Sequence, residues 1–335
     1  MKRHRNLPFF VPFAGCTFRC AFCSQEKITG AKDPSPEEEL AAFDRMMEHC
    51  GDISDSENQI AFFGGSFTNL PRPRMVRLLQ RAMDWIERGY ADSVRISTRP
   101  DCIDREVLSI LREYGVTDVE LGVQSMDDGV LLASGRGHTA DDTRAASALL
   151  REEGFRFAGQ MMIGLPGSTA EAEVLTASEI CALGASEARI YPTVVFADTP
   201  LYAQTLAGTY MPLDDLAAAK RIAPCMEVFL EQGVRLLKIG LQSSVSLSEA
   251  PFGPRDGSIA ELAAGMLYAN RVIRAVGETA RSRPLTVTVS PRELSKLTGH
   301  GAAALEAIRA ALSPTSVTIQ TDTSVSPYLP LCSVG

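Results

Sequence analysis

FRFAGQMMIGLPGSTAEAEVLTASEICAL, residues 155–183, reads as one complete structural unit. Residues 155–163 form a nearly continuous apolar run, Gly164-Leu165-Pro166-Gly167 is a turn, and residues 169–183 carry an amphipathic helical pattern. An apolar strand followed at once by such a helix belongs to a parallel sheet with crossover helices. Toward the N-terminus the unit repeats: strands at 7–13, 59–63, 93–97 and 118–123 alternate with helices at 36–49, 72–88, 104–113 and 140–152. Toward the C-terminus a strand at 188–195 precedes a helix at 213–232. Six strand–helix units predict an α/β fold, a TIM-like barrel or partial (β/α)6 barrel. Beyond it lie strands at 234–239, 285–289 and 316–319 and helices at 259–275 and 302–312, which either complete the barrel or form an appended layer. The Ser/Gly/Pro-bearing loop at 242–258 is the expected boundary, giving a core domain of residues 1–242 and a C-terminal α/β extension of residues 243–335.

A barrel places function in the loops after its strands, and the informative residues fall there. Cys16, Cys20 and Cys23 follow the first strand, Gly64-Gly65-Ser66 the second, Arg99-Pro100 the third, Gln124-Ser125 the fourth and Gly164 to Gly167 the fifth, so all would meet at one mouth. Three thiolates hold three corners of a cubane iron–sulfur cluster and leave one iron open to a substrate or cosubstrate, whereas an electron-carrying cluster normally takes four. The alternative is zinc, completed by a remote residue such as His49 or Cys50; zinc sites usually come as two cysteine pairs, and here there is one triplet.

The 335 residues are 45% hydrophobic, enough for a large core, and carry a net charge of −8, which argues against sequence-independent nucleic-acid binding through one basic face. The basic start, Met1 to Arg5, runs into a proline-broken segment too short for a signal peptide, and nothing approaches eighteen consecutive apolar residues. A reducing cytoplasm, no membrane and eight cysteines kept as thiols are therefore expected; Cys50, Cys102, Cys181, Cys225 and Cys332 read as small buried hydrophobes.

Cys16-x-x-x-Cys20-x-x-Cys23, with Phe22 before the last cysteine, resembles the signature of the radical S-adenosylmethionine (SAM) superfamily. The resemblance implies a partial (β/α)6 barrel of the radical SAM type, a [4Fe-4S] cluster on the three cysteines, and SAM bound to the open iron and cleaved to a 5′-deoxyadenosyl radical by an electron from a donor such as flavodoxin or ferredoxin. It further implies that Phe22 packs against the adenine and that the backbone of Gly64-Gly65 receives the SAM amino group. Ser66 stands where the family commonly has Glu. Three further stretches are similar to the radical SAM domain of the Elongator catalytic-subunit family: residues 120–128, Arg136-Gly137-His138-Thr139 and residues 159–167. So is the cysteine motif from Gly15 to Gln25; the whole likeness runs from about residue 8 to about residue 245. That family modifies tRNA, making a tRNA substrate the first expectation. The family's full-length subunit carries an acetyltransferase-like domain, and the roughly 90 residues after the match are too few for one, so a shortened relative is expected. A small porphyrinogen-like substrate and a non-enzymatic iron–sulfur or zinc adaptor are the alternatives.

Within this reading, Gln124 and Gln160 either bind SAM ribose or substrate, or satisfy loop backbone. Gly164, in a turn without the Gly-Lys-Ser/Thr ending of a nucleotide loop, is expected at the adenine. Arg136 and His138 read as a substrate-contacting segment or a helix-opening turn, and Tyr191, inward with Arg189 on the sixth strand, as substrate wall or packed barrel wall; Arg136, His138 and Tyr191 are the catalytic candidates. Glu120 shares the inward face of Gln124 and is either a ligand-binding group or half of a buried pair with an arginine such as Arg95.

Overall fold

Seven parallel strands hydrogen-bond in chain order: β1 (Arg3–Val11), β2 (Ser56–Gly64), β3 (Ser93–Thr98), β4 (Val116–Gln124), β5 (Arg156–Ile163), β6 (Glu187–Pro192) and β7 (Arg235–Ile239). The computed structural model describes residues 3–11, 15–16, 18–24, 34–50, 55–242 and 244–335; the expected strand end at Phe13 and the motif residue Gln25 lie outside them. Each crossover advances one strand in the same direction, so the twisted sheet curls, and β1 and β7 stand at its two ends unpaired with each other. The result is a half-barrel.

Helices α1 (Pro36–Glu48), α2 (Arg72–Glu87), α3 (Arg105–Glu113), α4 (Asp128–Ala133), α5 (Ala140–Glu152), α6 (Ala170–Ala182), α7 (Pro200–Leu206) and α8 (Asp215–Glu231) lie between the strands. Phe43, Leu78, Leu111, Leu150, Ile180 and Phe229 bring their apolar stripes onto Leu7, Ile60, Val94, Val119, Phe157 and Ile190 of the strands. The alternate strand residues point inside, and many are charged. Arg95 is the centre of that lattice, bonded to Gln59 at 2.7 Å, Glu187 at 2.6 Å, Glu120 at 3.2 Å and Asp118 at 3.3 Å. The Glu120–Arg95 pair thus realises the second of the two sequence expectations for Glu120.

β7 decides between the two readings left open for its strand. The strand at 234–239 is parallel to β6 and extends the barrel sheet to seven strands. β6 itself stops at Pro192, which has no N–H to continue a ladder; three residues on, Val195 bridges to Phe252 instead. After β7 come α9 (Val245–Ser248), α10 (Ile259–Val276), β8 (Pro284–Val289), α11 (Leu294–Thr298), α12 (Ala303–Leu312), β9 (Ser316–Thr321) and β10 (Leu331–Val334). β8 to β10 form a second sheet in the order β10-β8-β9, with β9 parallel and β10 antiparallel to β8. α10 joins the two parts: Leu267 and Val272 share one continuous core with Ile222 and Phe229 of α8 and with Val287 of β8. Among the described residues, no helix is long and apolar enough to cross a membrane.

Candidate functional site at the mouth of the half-barrel

A cavity of about 890 Å³ opens where the strands end. Cys16, Phe22, Cys20 and Cys23 enter it from the loop after β1, Gly64, Gly65 and Ser66 from the end of β2, Gln124 and Gln160 from β4 and β5, and Arg136 from the loop between α4 and α5. These sequence-predicted residues therefore line one cavity, together with Arg99 and Glu120; Gly164, His138 and Tyr191 do not.

The loop after β1 is pressed against the end of β2. Gly15 has φ 77°, and a Cβ there would stand 2.1 Å from the Ser66 carbonyl, so only glycine lets these two backbones touch. Gly65 N–H donates to the Val11 carbonyl at 3.0 Å, fixing the exit of β1 to the exit of β2. Ser66 is fully buried, and its hydroxyl bonds Thr98 Oγ1 at 2.9 Å, which in turn meets Thr68 Oγ1 at 2.6 Å; Thr68 donates to the Cys102 carbonyl at 2.6 Å. The serine at the Glu position thus ties β2 to β3. Thr68 and Thr98 drew no notice in the sequence, because isolated threonines carry no motif.

Behind the cysteines lies the segment Ser134 to His138. Ala21 N–H donates to the Ser134 carbonyl at 2.8 Å, and Leu201 N–H at the start of α7 donates to the Ala21 carbonyl at 2.9 Å, so the cysteine loop is clamped from both sides. Ser24 and Asp198 add a side-chain bond on the α7 side. Arg99 chelates Asp101 with two bonds of 2.8 Å, donates to the Arg136 carbonyl at 2.7 Å and lies over the Phe18 ring at 5.0 Å. Arg136 donates to the Gly122 carbonyl at 2.7 Å and reaches the Cys20 Sγ at 3.6 Å. His138 is buried beside them. Burial first, then the charges of Arg136 and Arg99, hold its imidazole down to about 4, so it is neutral at physiological pH.

On β4 and β5, Gln160 Nε2 donates to Gln124 Oε1 at 2.8 Å, pairing the two predicted glutamines. Gln124 holds φ 64° where the β4–β5 register slips, a strained conformation of the kind that gathers at functional sites. Below them Arg189 bridges Glu120 at 2.9 Å and the Tyr191 hydroxyl at 3.3 Å; burial pushes that phenol up. Glu120 lines the cavity, while Arg189 and Tyr191 do not. Gly164 N–H donates to Glu173 at 2.7 Å and its carbonyl accepts from Tyr210 at 2.6 Å.

The donor set fits an iron–sulfur cluster. Cys16, Cys20 and Cys23 face one cavity, and three thiols are the ligands such a cluster takes while leaving one iron open. Arg136 is 7% exposed, its Nε has no partner, and among the described residues it pairs with no carboxylate. A buried cation left so calls for an anion at the cysteines, and a thiolate-held cluster is anionic.

A family model described as the Radical SAM superfamily matches residues 10–177. Members of this superfamily work with SAM and a [4Fe-4S] cluster. An uncharacterized protein of Methanocaldococcus jannaschii is 29% identical over 64% of this chain and 70% of its own length. A tRNA uridine(34) acetyltransferase of Methanocaldococcus infernus is 34% identical over 38% of this chain, and Elongator complex protein 3 of Homo sapiens is 26% identical over 72% of it. The chain spans 26% and 48% of the lengths of those two relatives. Among solved structures, the archaeal Elp3 of Methanocaldococcus infernus with an N-terminal deletion shares the fold at a TM-score of 0.63 and 20% identity, over 83% of this chain and 64% of that one. Coproporphyrinogen III oxidase from Escherichia coli shares it at 0.50 and 19%, over 69% and 53%. Resting on a match to half of its length and on a half-barrel of the same architecture, the conclusion is that this chain belongs to the radical SAM superfamily and is a radical SAM enzyme.

Proposed function

We propose that Cys16, Cys20 and Cys23 hold a [4Fe-4S] cluster, that SAM occupies the adjoining cavity, and that the enzyme modifies tRNA. The observation that carries the cofactor part is the buried Arg136 guanidinium, without a carboxylate partner among the described residues, against the Cys20 sulfur at the wall of that cavity. Together cluster and SAM supply a 5′-deoxyadenosyl radical once an electron arrives. The chain's own residues shape what surrounds it. Phe22 offers a ring to the adenine, the Gly64-Gly65 backbone admits the amino acid end of SAM without side-chain obstruction, and the Gln124–Gln160 pair presents amides to ribose or substrate. Gly164 supports the wall from behind. Arg136 and His138 position the cysteine loop, and Tyr191, held by Arg189 and Glu120, closes the floor beneath the substrate. Residues 1–242 form the radical domain and 243–335 its extension, in a reducing cytoplasm with a flavodoxin or ferredoxin as donor.

Sequence likeness to tRNA uridine(34) acetyltransferase and Elongator complex protein 3 supports the choice of tRNA. The test pairs two measurements. Bulk tRNA should bind with an affinity that falls steeply with salt, and deleting the protein from its cell should remove or alter one modified nucleoside. Absence of tRNA binding at low salt, with unchanged nucleosides and an altered small metabolite, would replace tRNA by a small-molecule substrate.

A further inference from the structure

We infer that Arg136 raises the reduction potential of the cluster on the cysteine loop, acting through its charge and its hydrogen bond to the Cys20 sulfur; this rests on the cluster reading above. The side chain has been placed for the purpose by contacts that leave one end over. Its amide N–H donates to the Leu131 carbonyl at 3.0 Å, its carbonyl accepts from Arg99 at 2.7 Å, and its Nη2 donates to the Gly122 carbonyl at 2.7 Å. What remains is Nη1, 3.6 Å from Cys20 Sγ, and an Nε with no partner.

Other buried and part-buried arginines set the contrast. Arg95 meets Asp118, Glu120 and Glu187; Arg99 meets Asp101; Arg189 meets Glu120; Arg221 meets Glu173. Each of those charges is cancelled by a carboxylate. Arg136, among the described residues, has none. Its guanidinium also cannot shed its proton to escape burial. The charge is therefore uncompensated until an anion lies at Cys20, and it then acts on that anion at short range in a poorly screened setting.

Hydrogen bonds to sulfur and nearby charge are the protein's main levers on iron–sulfur potentials. Reduction adds one electron, delivered by the external reductant, to an assembly that is already negative, and no proton moves on Arg136. A fixed cation stabilises the reduced form more than the oxidised one. Arg136 is in this sense a positioning and tuning residue, not a catalytic one.

The test compares wild type with Arg136→Gln, Arg136→Met and Arg136→Lys, each reconstituted anaerobically with iron and sulfide and titrated reductively while EPR or absorbance follows the cluster. The neutral variants should show a reduction equilibrium constant at least about tenfold lower, a fall of about 59 mV for one electron. Arg136→Lys, which keeps the charge, should stay within about threefold of wild type. Equal potentials in wild type and the neutral variants, at equal iron and sulfide per chain, would overturn the inference. If the neutral variants take up no cluster, Gly122→Ala decides: its methyl would stand 2.6 Å from Arg136 Nη2 and 2.9 Å from Gln124 Nε2, and would push the guanidinium, charge included, away from the Cys20 sulfur. A lowered potential supports the inference there, and an unchanged one overturns it. A wild-type protein that takes up no iron and sulfide sinks the cluster reading itself, an outcome distinct from an unchanged potential.

Discussion

At Gly137 the backbone takes φ 78°, and the Phe18 ring lies against the position where a side chain would begin, 2.6 Å from a built Cβ. Two demands coincide there: a left-handed conformation and contact with the ring over which Arg99 lies. Gly137→Ala should therefore cost about 1–3 kcal/mol in chemical denaturation. It should also lower the iron bound per chain after reconstitution, because Phe18 lies within the cysteine loop; iron content equal to wild type would contradict this account of the loop. The gathering of Cys16, Cys20 and Cys23 at one cavity was legible in the sequence, because it depends on spacing within a single loop. Roles that depend on what lies across the fold were not. The burial of Ser66 against Thr98, and the absence of a carboxylate beside Arg136 among the described residues, exist only once β2, β3 and the loop after α4 are brought together.

Among the elements, the turn between β5 and α6 shows how the scaffold is held. Glu173 in the first turn of α6 is buried, accepts from Gly164 N–H at 2.7 Å and from Ser168 at 3.1 Å, and is gripped by Arg221 of α8 at 2.6 Å and 2.7 Å. Burial pushes this carboxyl up, and Arg221 opposes the shift. Removing the partner would strand a buried carboxylate. Arg221→Ala should lose about 3–5 kcal/mol of stability, measured by chemical denaturation, with Arg221→Lys recovering part of it; a loss below about 1 kcal/mol would show the pair to be dispensable. The unit itself was plain from residues 155–183, since an apolar run, a Gly-Pro-Gly turn and a helical pattern are all local signals. The clamp was not, because Glu173 and Arg221 lie on different helices and no local pattern pairs them. Short elements escaped for a related reason: α4, α7 and β10 are six, seven and four residues long, too brief for periodicity to register.

For the whole molecule, strand-by-strand alternation carried the α/β architecture and the location of the mouth, but not the count of strands. β7 follows α8 just as earlier strands follow their helices, yet only the parallel ladder to β6 assigns it to the barrel rather than to the sheet of β8, β9 and β10. The half-barrel leaves its inner face polar, with Arg95 and its carboxylates filling the lower part, and directs the remaining space to the cysteine end. The central claim is that this space serves one cluster and one SAM. It is tested most directly by reconstituting the protein anaerobically, adding dithionite and SAM, and quantifying 5′-deoxyadenosine alongside iron and sulfide. The account predicts about four irons and four sulfides per chain and 5′-deoxyadenosine formation, abolished in Cys16→Ala, Cys20→Ala and Cys23→Ala. A single zinc per chain without sulfide, or a full cluster with no SAM cleavage under strong reductant, would contradict it.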